Sequence, residues 1–236
     1  MKYYWLIIAM TLVHSVNSQA AGMEDDPLLA MIKIEKLEMQ DADGDEHKPL
    51  VLDASAWIGK DLHKLYIKTE VERVAGDTEE AELQLLYSRA LYPFWDVQIG
   101  WRRDFDPQPE RNWLALGLQG LAPYMFEVDA VLFVGESGRV GARLDAEYEY
   151  MFTQRWVLTP EIEINAYSKD DTSRGIGSGI ADLSAGLRLR YEIRREFAPY
   201  IGINWNRQFS NTADITRAAG EDSSDTQLVA GIRAWF

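Results

Sequence analysis

Residues 226–236 read TQLVAGIRAWF and alternate strictly between the two faces of a strand, with Arg233 on the more polar face. The opposite face carries five apolar side chains: Leu228, Ala230, Ile232, Ala234 and Phe236. A strand that ends on an aromatic residue is typical of the closing strand of an outer-membrane β-barrel, whose aromatic lies in the interfacial girdle. We therefore predict that residues 226–236 close a barrel by pairing with residues 31–39.

The same alternation recurs along the chain in segments of about ten residues, the length of a tilted strand that crosses a bilayer. The other segments are 31–39, 50–58, 62–74, 81–90, 94–104, 112–121, 124–134, 140–152, 156–165, 182–194 and 199–208. We predict an all-β fold: an antiparallel up-and-down transmembrane β-barrel of about twelve strands, an even number as in bacterial barrels. The first two segments alternate weakly, and about ten strands remain if they lie outside the barrel.

The connections between these segments differ in length. Those at 92–93, 122–123, 153–155 and 197–199 are short, whereas 106–111, 169–179 and 211–225 are longer and polar. Short turns of such barrels face the periplasm and long loops face outside, so we expect the C-terminal strand to end in the periplasm. A soluble lipocalin-like barrel alternates in the same way with its apolar face inward, but the terminal strand and the loop asymmetry favour the membrane.

The N-terminal residues predict export. Lys2 precedes an apolar run at 5–13, and Ser18, Gln19 and Ala20 provide small residues where a signal peptidase cleaves. We predict a signal peptide over 1–20, a short flexible acidic segment over 21–29 and an outer-membrane β-barrel over 30–236. The expected location is the outer membrane of a Gram-negative bacterium, with membrane lipid as a partner. The C-terminal strand also resembles the signal read by the barrel-assembly machinery, a second expected partner.

Composition narrows the classes of function. The chain has no cysteine, which excludes disulfides and thiolate metal sites. Its formal net charge is −14, whereas proteins that bind the phosphate backbone of nucleic acids carry positive charge there, so no nucleic-acid partner is expected.

Charged residues occupy the face opposite the apolar one, which in a membrane barrel is the lumen. The predicted lumen network contains Arg143, Asp145, Glu147, Glu163, Arg188, Arg190, Arg194 and Arg233, together with Glu127, Asp129, Glu149 and Glu161. One interpretation is structural, because charges in a narrow lumen are stable only when they are paired. The other is a polar path or ion site in which the excess of carboxylates favours cations.

Several strings resemble the copper resistance protein B family (CopB, PcoB), outer-membrane proteins of copper-resistance systems. They are DASAWIGKD at 53–61, KLYIKTE at 64–70, LYSRA at 86–90, FWD at 94–96, GLAPY at 120–124, EYEY at 147–150 and LRLRYEIRREFAPY at 187–200. The resemblance covers about 50–236. It implies an outer-membrane barrel that binds copper, contributes to copper resistance and works with periplasmic copper-resistance proteins.

Family members often carry a long segment rich in Met and His before the barrel. Here that region contains only four such residues: Met23, Met31, Met39 and His47. Copper binding, as Cu(I) or Cu(II), would therefore fall to the barrel, since thioether and imidazole are suitable copper ligands.

The barrel offers few candidate copper ligands. The predicted set is Met125, Met151, Glu127, Glu149, Glu161 and His63. The methionines and the histidine could also have no role in binding, because methionine commonly fills gaps in packing and a lone histidine is commonly solvated.

Two other classes of function were weighed. An enzyme is not expected, because His47 and His63 alone follow the predicted signal peptide and no activated nucleophile or H-E-x-x-H motif can be named. The remaining alternative is a structural or partner-binding barrel without transport, which would use the loops at 169–179 and 211–225.

Overall fold

The structure is a computed structural model that describes residues 26–42 and 48–236. Twelve antiparallel strands form one closed barrel. The strands are β1 (Leu29–Ala42), β2 (Leu50–Gly59), β3 (His63–Val74), β4 (Asp77–Tyr92), β5 (Trp95–Asp106), β6 (Arg111–Ala122), β7 (Phe126–Gly135), β8 (Val140–Glu147, continued by Tyr150–Met151), β9 (Trp156–Tyr167), β10 (Gly179–Tyr191), β11 (Phe197–Gln208) and β12 (Ser224–Trp235). The predicted fold and strand number are confirmed, and the ten-strand alternative is wrong because both weak segments are β1 and β2. The predicted signal peptide, Met23 and His47 lie outside the described residues.

The last strand closes the barrel on the first, as predicted. β12 pairs with β1, with Ala234 opposite Ile34 and Ile232 opposite Leu37. Phe236 continues the ladder: its N–H donates to Ile32 O at 2.8 Å, and Ile32 N–H donates to Phe236 O at 3.0 Å. This seam leaves neither end strand with an open edge.

The alternation places polar side chains inside and apolar side chains outside. On β5, Gln98 and Arg102 are 1% and 3% exposed, whereas their neighbour Ile99 is 48% exposed. Outward apolar side chains of this kind form the lipid-facing band of a membrane barrel. The soluble lipocalin-like alternative, which needs the reverse orientation, is therefore wrong.

The two ends of the barrel differ. Turns at 60–62, 93–94, 123–125, 152–155 and 192–196 share one end with the start of β1 and the end of β12, and we call it the turn end. The other, which we call the loop end, carries the described connections 75–76, 107–110, 136–139, 168–178 and 209–223. The last of these holds one α-helix, α1 (Ser210–Ala219), where the sequence predicted only a polar loop. Within the described residues, no helix is both long and apolar enough to span a membrane.

Two predicted strands extend less far into the turn end than expected. β7 begins at Phe126, because Tyr124 and Met125 both have φ of 68° and form part of a single helical turn. The alternation of side chains along β7 therefore does not determine where the side chain of Met125 points. β10 ends at Tyr191, so Arg194 lies in the following turn, where it is exposed. The prediction that Arg194 points into the lumen is wrong, because alternation stops where the chain turns.

A buried ion pair joins β1 to β10, three strands away around the barrel. Arg188 on β10 donates to both carboxylate oxygens of Glu38, from Nε at 2.9 Å and from Nη2 at 2.8 Å. Tyr200 on β11 donates to the same carboxylate at 2.9 Å. Glycines leave room for this cluster: a Cβ at Gly231 would lie 2.7 Å from both Glu38 Cβ and Tyr200 Oη, and one at Gly202 would lie 2.9 Å from Arg188 Cγ.

We predict that Glu38→Ala destabilises the barrel by about 3–5 kcal/mol, because it leaves Arg188 buried without its main partner. The measurement is the free energy of unfolding in urea in lipid or detergent. Asp41→Ala is the matched control on the same strand: its pair with Lys48 is half exposed, and such pairs contribute about 0–1 kcal/mol. Equal losses of stability in the two variants would contradict the prediction.

Candidate functional site

A cavity of about 410 Å³ occupies the lumen from the turn end to the middle of the barrel. Its lining is strongly acidic, with four cationic side chains, Lys33, Lys36, Lys68 and Arg143, against ten carboxylates. The carboxylates are Glu35, Asp53, Glu70, Glu82, Glu127, Asp129, Asp145, Glu147, Glu161 and Glu163. Such an excess of one sign in a low-dielectric enclosure attracts ions of the opposite sign.

Six of these carboxylates form a regular array on the wall, which we call the carboxylate grid. One row consists of Glu127, Glu147 and Glu161, directly opposite one another on β7, β8 and β9. The second row, two residues further toward the loop end, consists of Asp129, Asp145 and Glu163. Directly opposed side chains have Cβ atoms about 5 Å apart, and like charges there are destabilising.

Cations from other strands balance four members of the grid. Arg233 Nη1 lies 2.8 Å from Glu147, and Lys36 Nζ lies 2.8 Å from Glu161. Glu161 also receives Arg188. In the second row, Lys68 Nζ lies 2.5 Å from Asp129, and Arg143 Nε lies 3.5 Å from Glu163.

Two members of the grid have no such partner. Among the described residues, neither Glu127 nor Asp145 forms an ion pair or a side-chain hydrogen bond. Asp145 is central in its row, between Asp129 and Glu163, and Glu127 heads the row nearer the turn end. These two carboxyl groups therefore have no cationic partner among the described side chains.

Buried side chains fill the lumen between this cavity and the loop end. Glu82 receives Arg102 at 2.8 Å and Arg143 at 3.1 Å. Arg102 stacks over the ring of Phe133 at 4.4 Å from its centroid, and Trp113 donates to Asp104 at 3.0 Å. We call this layer the plug. Alternation predicts that Arg102 and Asp104 face the lumen. It does not predict that Arg102 contacts Glu82 or that Asp104 contacts Trp113.

The loop 168–178 folds over the plug and is locked to it. Arg174 reaches inward, with Nη1 3.3 Å from Asp104, and its side chain is 4% exposed. Arg111 holds Asp171 with two hydrogen bonds of 2.9 and 3.2 Å. Burial opposes ionisation of Asp171, yet hydrogen bonds from Arg111 and Ser173 hold the pKa of this carboxyl below its usual value. Helix α1 packs on the loop, where Thr212 accepts from Gly177 N–H at 2.9 Å.

At the turn end the lumen is bordered by a second charged cluster. Arg233 lies 3.3 Å from both Glu35 and Glu149, and Arg190 lies 2.6 Å from Glu149. Arg190 and Arg233 thus lie in the lumen as the alternation predicted, with carboxylates around them. Glu149 is already engaged by two arginines, which leaves it poorly disposed to bind a metal.

Both candidate methionines lie at the turn end. Met151 stands opposite Val157, whose side chain is buried in the lumen, and is itself 63% exposed. Met125, in the turn before β7, is 66% exposed. Glu127 follows Met125 by two residues and lines the cavity. Of the predicted carboxylates, Glu149 and Glu161 are held by cations, whereas Glu127 forms no ion pair with a described residue.

His63 is placed away from this group. It begins β3 at the turn end, and its Nδ1 lies 2.5 Å from Tyr87 Oη with the two rings stacked. Its neighbour Lys64 points inward to Asp96 at 3.1 Å, so His63 lies on the outer face of the strand. The structure does not bring it to the carboxylates of the cavity.

No group of three or more His, Asp or Glu side chains converges tightly enough to hold a metal ion within 26–42 and 48–236. The grid repeats at strand spacing, which keeps its oxygens apart. A metal ion held by these carboxylates alone would therefore retain much of its hydration shell.

Solved structures of outer-membrane barrels share this fold. The NanC porin superposes with a TM-score of 0.58 and 15% identity, covering 86% of this chain and 98% of that one. The KdgM porin gives a TM-score of 0.55 and 12% identity, over 87% and 99%. The outer membrane phospholipase A of Escherichia coli gives a TM-score of 0.50 and 13% identity, over 88% and 92%. These likenesses show the architecture alone.

Sequence relatives are more specific. Copper resistance protein B of Escherichia coli is 43% identical over 220 residues, which cover 93% of this chain and 74% of the relative. The Copper resistance protein B homolog of Pseudomonas syringae pv. tomato is 44% identical over 214 residues, covering 91% and 72%. The family model described as Copper resistance protein B precursor (CopB) matches residues 28–236, from just before β1 to the last residue of the barrel. The chain therefore belongs to the copper resistance protein B family.

Proposed function

We propose that this protein binds copper ions in its barrel at the outer membrane and contributes to copper resistance by moving or sequestering them there. The observation that carries the proposal is the acidic cavity in the lumen of a copper resistance protein B barrel. We propose binding and not catalysis, because the described lining of the cavity consists mainly of charged side chains that attract a cation.

The orientation of the barrel gives the route of entry. Short turns of outer-membrane barrels face the periplasm, so the turn end and the cavity that begins there would meet periplasmic copper. Periplasmic copper-resistance proteins are then the natural partners at this rim. The plug separates the cavity from the loop end, and passage across the membrane would need the plug and the loop 168–178 to move.

The ligands at the entrance suit copper better than those deeper in the lumen. Methionine thioethers are soft ligands that select Cu(I), whereas carboxylates prefer harder ions. We place the copper site at the mouth, with Met125 and Met151 as soft ligands and Glu127 as the carboxylate. His63, Glu149 and Glu161 would contribute less, because each is already engaged or lies outside the cavity.

We predict that the double variant Met125→Leu/Met151→Leu binds Cu(I) at least about tenfold more weakly than the unaltered barrel. Leucine keeps the volume of methionine and removes the thioether. The measurement is competition with a chromophoric Cu(I) chelator in detergent. Met39→Leu is the matched control, an exposed methionine near the far end of β1. Equal Cu(I) affinity in the double variant and the unaltered barrel would refute the methionine site.

In cells, we expect loss of this protein to lower the copper concentration that cells tolerate and to change the cell-associated copper. The unaltered gene should restore both, and the double methionine variant should restore them only partly. Unchanged tolerance and copper content would favour the structural or partner-binding barrel over the copper-handling one.

We predict that Arg111→Ala/Arg174→Ala raises the mean ion current through the barrel several-fold in planar lipid bilayers. The two changes remove the hydrogen bonds to Asp171 and the contact with Asp104 that hold the loop 168–178 on the plug. The unaltered barrel should conduct poorly. Arg217→Ala is the control, since Arg217 is exposed on α1. The same current in all three proteins would show that this loop does not restrict passage.

A further inference from the structure

We infer that the carboxylate grid is a binding site for hydrated divalent cations as a class, which holds the ion through its water molecules. This inference goes beyond the proposed copper site, which lies at the mouth and depends on thioethers. It concerns Asp129, Asp145 and Glu163 in the middle of the barrel, and it stands whether or not copper is the physiological ion.

The first support is electrostatic. Asp145 lies in register between Asp129 and Glu163, and within the described part of the chain no cation pairs with it. Among the residues that the structure describes, Glu163 forms an ion pair with Arg143 at 3.5 Å, and this arginine is shared with Glu70 at 3.4 Å and Glu82 at 3.1 Å. Like charges at directly opposed positions destabilise a sheet. A bound divalent cation would remove that repulsion.

The second support is independent of charge. Gln84 is 6% exposed and lines the same cavity, and its Oε1 has no hydrogen-bond donor among the described residues. Oδ1 of Asp129 is likewise buried without a donor. Both belong to one neighbourhood, because Lys68 stands opposite Gln84 on the paired strand and binds Asp129 through its other oxygen. Buried acceptors without donors are rare in folded proteins, and both lack a donor such as a water of hydration.

The geometry favours a hydrated ion over a dehydrated one. The absence of a tight group of three or more ligating side chains in the described residues means that direct coordination by the protein would be incomplete. A cation with six water molecules needs roughly 200 Å³ at ~30 Å³ for each molecule. The cavity of about 410 Å³ holds it with room for further water. Ions that keep their water, such as Mg²⁺ and Mn²⁺, fit such a site.

A site of this kind selects charge and not the identity of the metal. Waters of the ion donate hydrogen bonds outward, and the grid and the two unpaired oxygens accept them. Cu²⁺ would enter as one divalent cation among several, so discrimination for copper would depend on the methionines at the mouth. The grid would then raise the local concentration of divalent cations without sorting them.

The test uses Mn²⁺ as the probe, with the full barrel in detergent. Free Mn²⁺ gives a sharp six-line electron paramagnetic resonance signal that weakens on binding, so titration measures affinity. We expect Asp145→Asn to lower the affinity for Mn²⁺ by at least about tenfold, since it removes a charge close to the ion. Asp77→Asn, an exposed position at the start of β4, should leave it unchanged. Hexaamminecobalt(III), which cannot exchange its ligands for carboxylates, should displace Mn²⁺.

Either of two results would overturn the inference. Unchanged Mn²⁺ affinity in both Asp145→Asn and Glu163→Gln would show that the grid is not the site. Failure of hexaamminecobalt(III) to compete would show direct coordination instead of binding through water. Each variant relieves repulsion between carboxylates, so folding is expected and is checked by the change of gel mobility on heating. Copper tolerance of cells is read separately, so the copper proposal can fail while Mn²⁺ binding persists.

Discussion

Most charged side chains that face the lumen of this narrow barrel pair with a side chain from another strand, because a buried charge without a partner is costly. Arg188 shows the constraint most clearly. It crosses to Glu38, a residue 150 positions away in sequence, and the glycines at 202 and 231 keep the path clear. Through this contact the weakly alternating β1 is tied to β10, three strands away, and is held in the barrel by side chains as well as by its ladders.

The same constraint divides the lumen into two halves of different character. Toward the loop end, Glu82, Arg102 and Asp104 are compensated and packed against aromatic rings, which makes the plug a solid layer. Toward the turn end, carboxylates outnumber cations and a cavity remains. The proposed binding of a cation rests on this excess of carboxylates, and membership of the copper resistance protein B family relates the barrel to copper resistance.

Much of this was accessible before the structure. Alternation predicted about twelve strands and placed Arg143, Glu147 and Arg233 on the polar face of each strand, because side chains of a strand point to opposite faces. The terminal strand and the loop asymmetry then indicated that this polar face points inward and that β12 closes on β1. The failures came where the chain leaves the strand. Alternation assigned Met125 and Arg194 to strands, but both lie in turns. The polar composition of residues 209–223 indicated a loop and did not reveal α1. The separation of His63 from the cavity also required the structure, since its strand begins at that residue.

The sequence by itself determined the face on which each strand residue lies and the family to which the chain belongs, because both are properties of local order along the chain. Only the tertiary structure decided which charges meet. Partners across the lumen depend on the tilt and stagger of the closed sheet, which bring Lys36 to Glu161 and Arg174 to Asp104 while leaving Asp145 without a cation among the described residues. Alternation is the same at every stagger, so it cannot predict which residues meet across the lumen. The position of the cavity and of its unpaired carboxylates could therefore be seen only in the closed barrel.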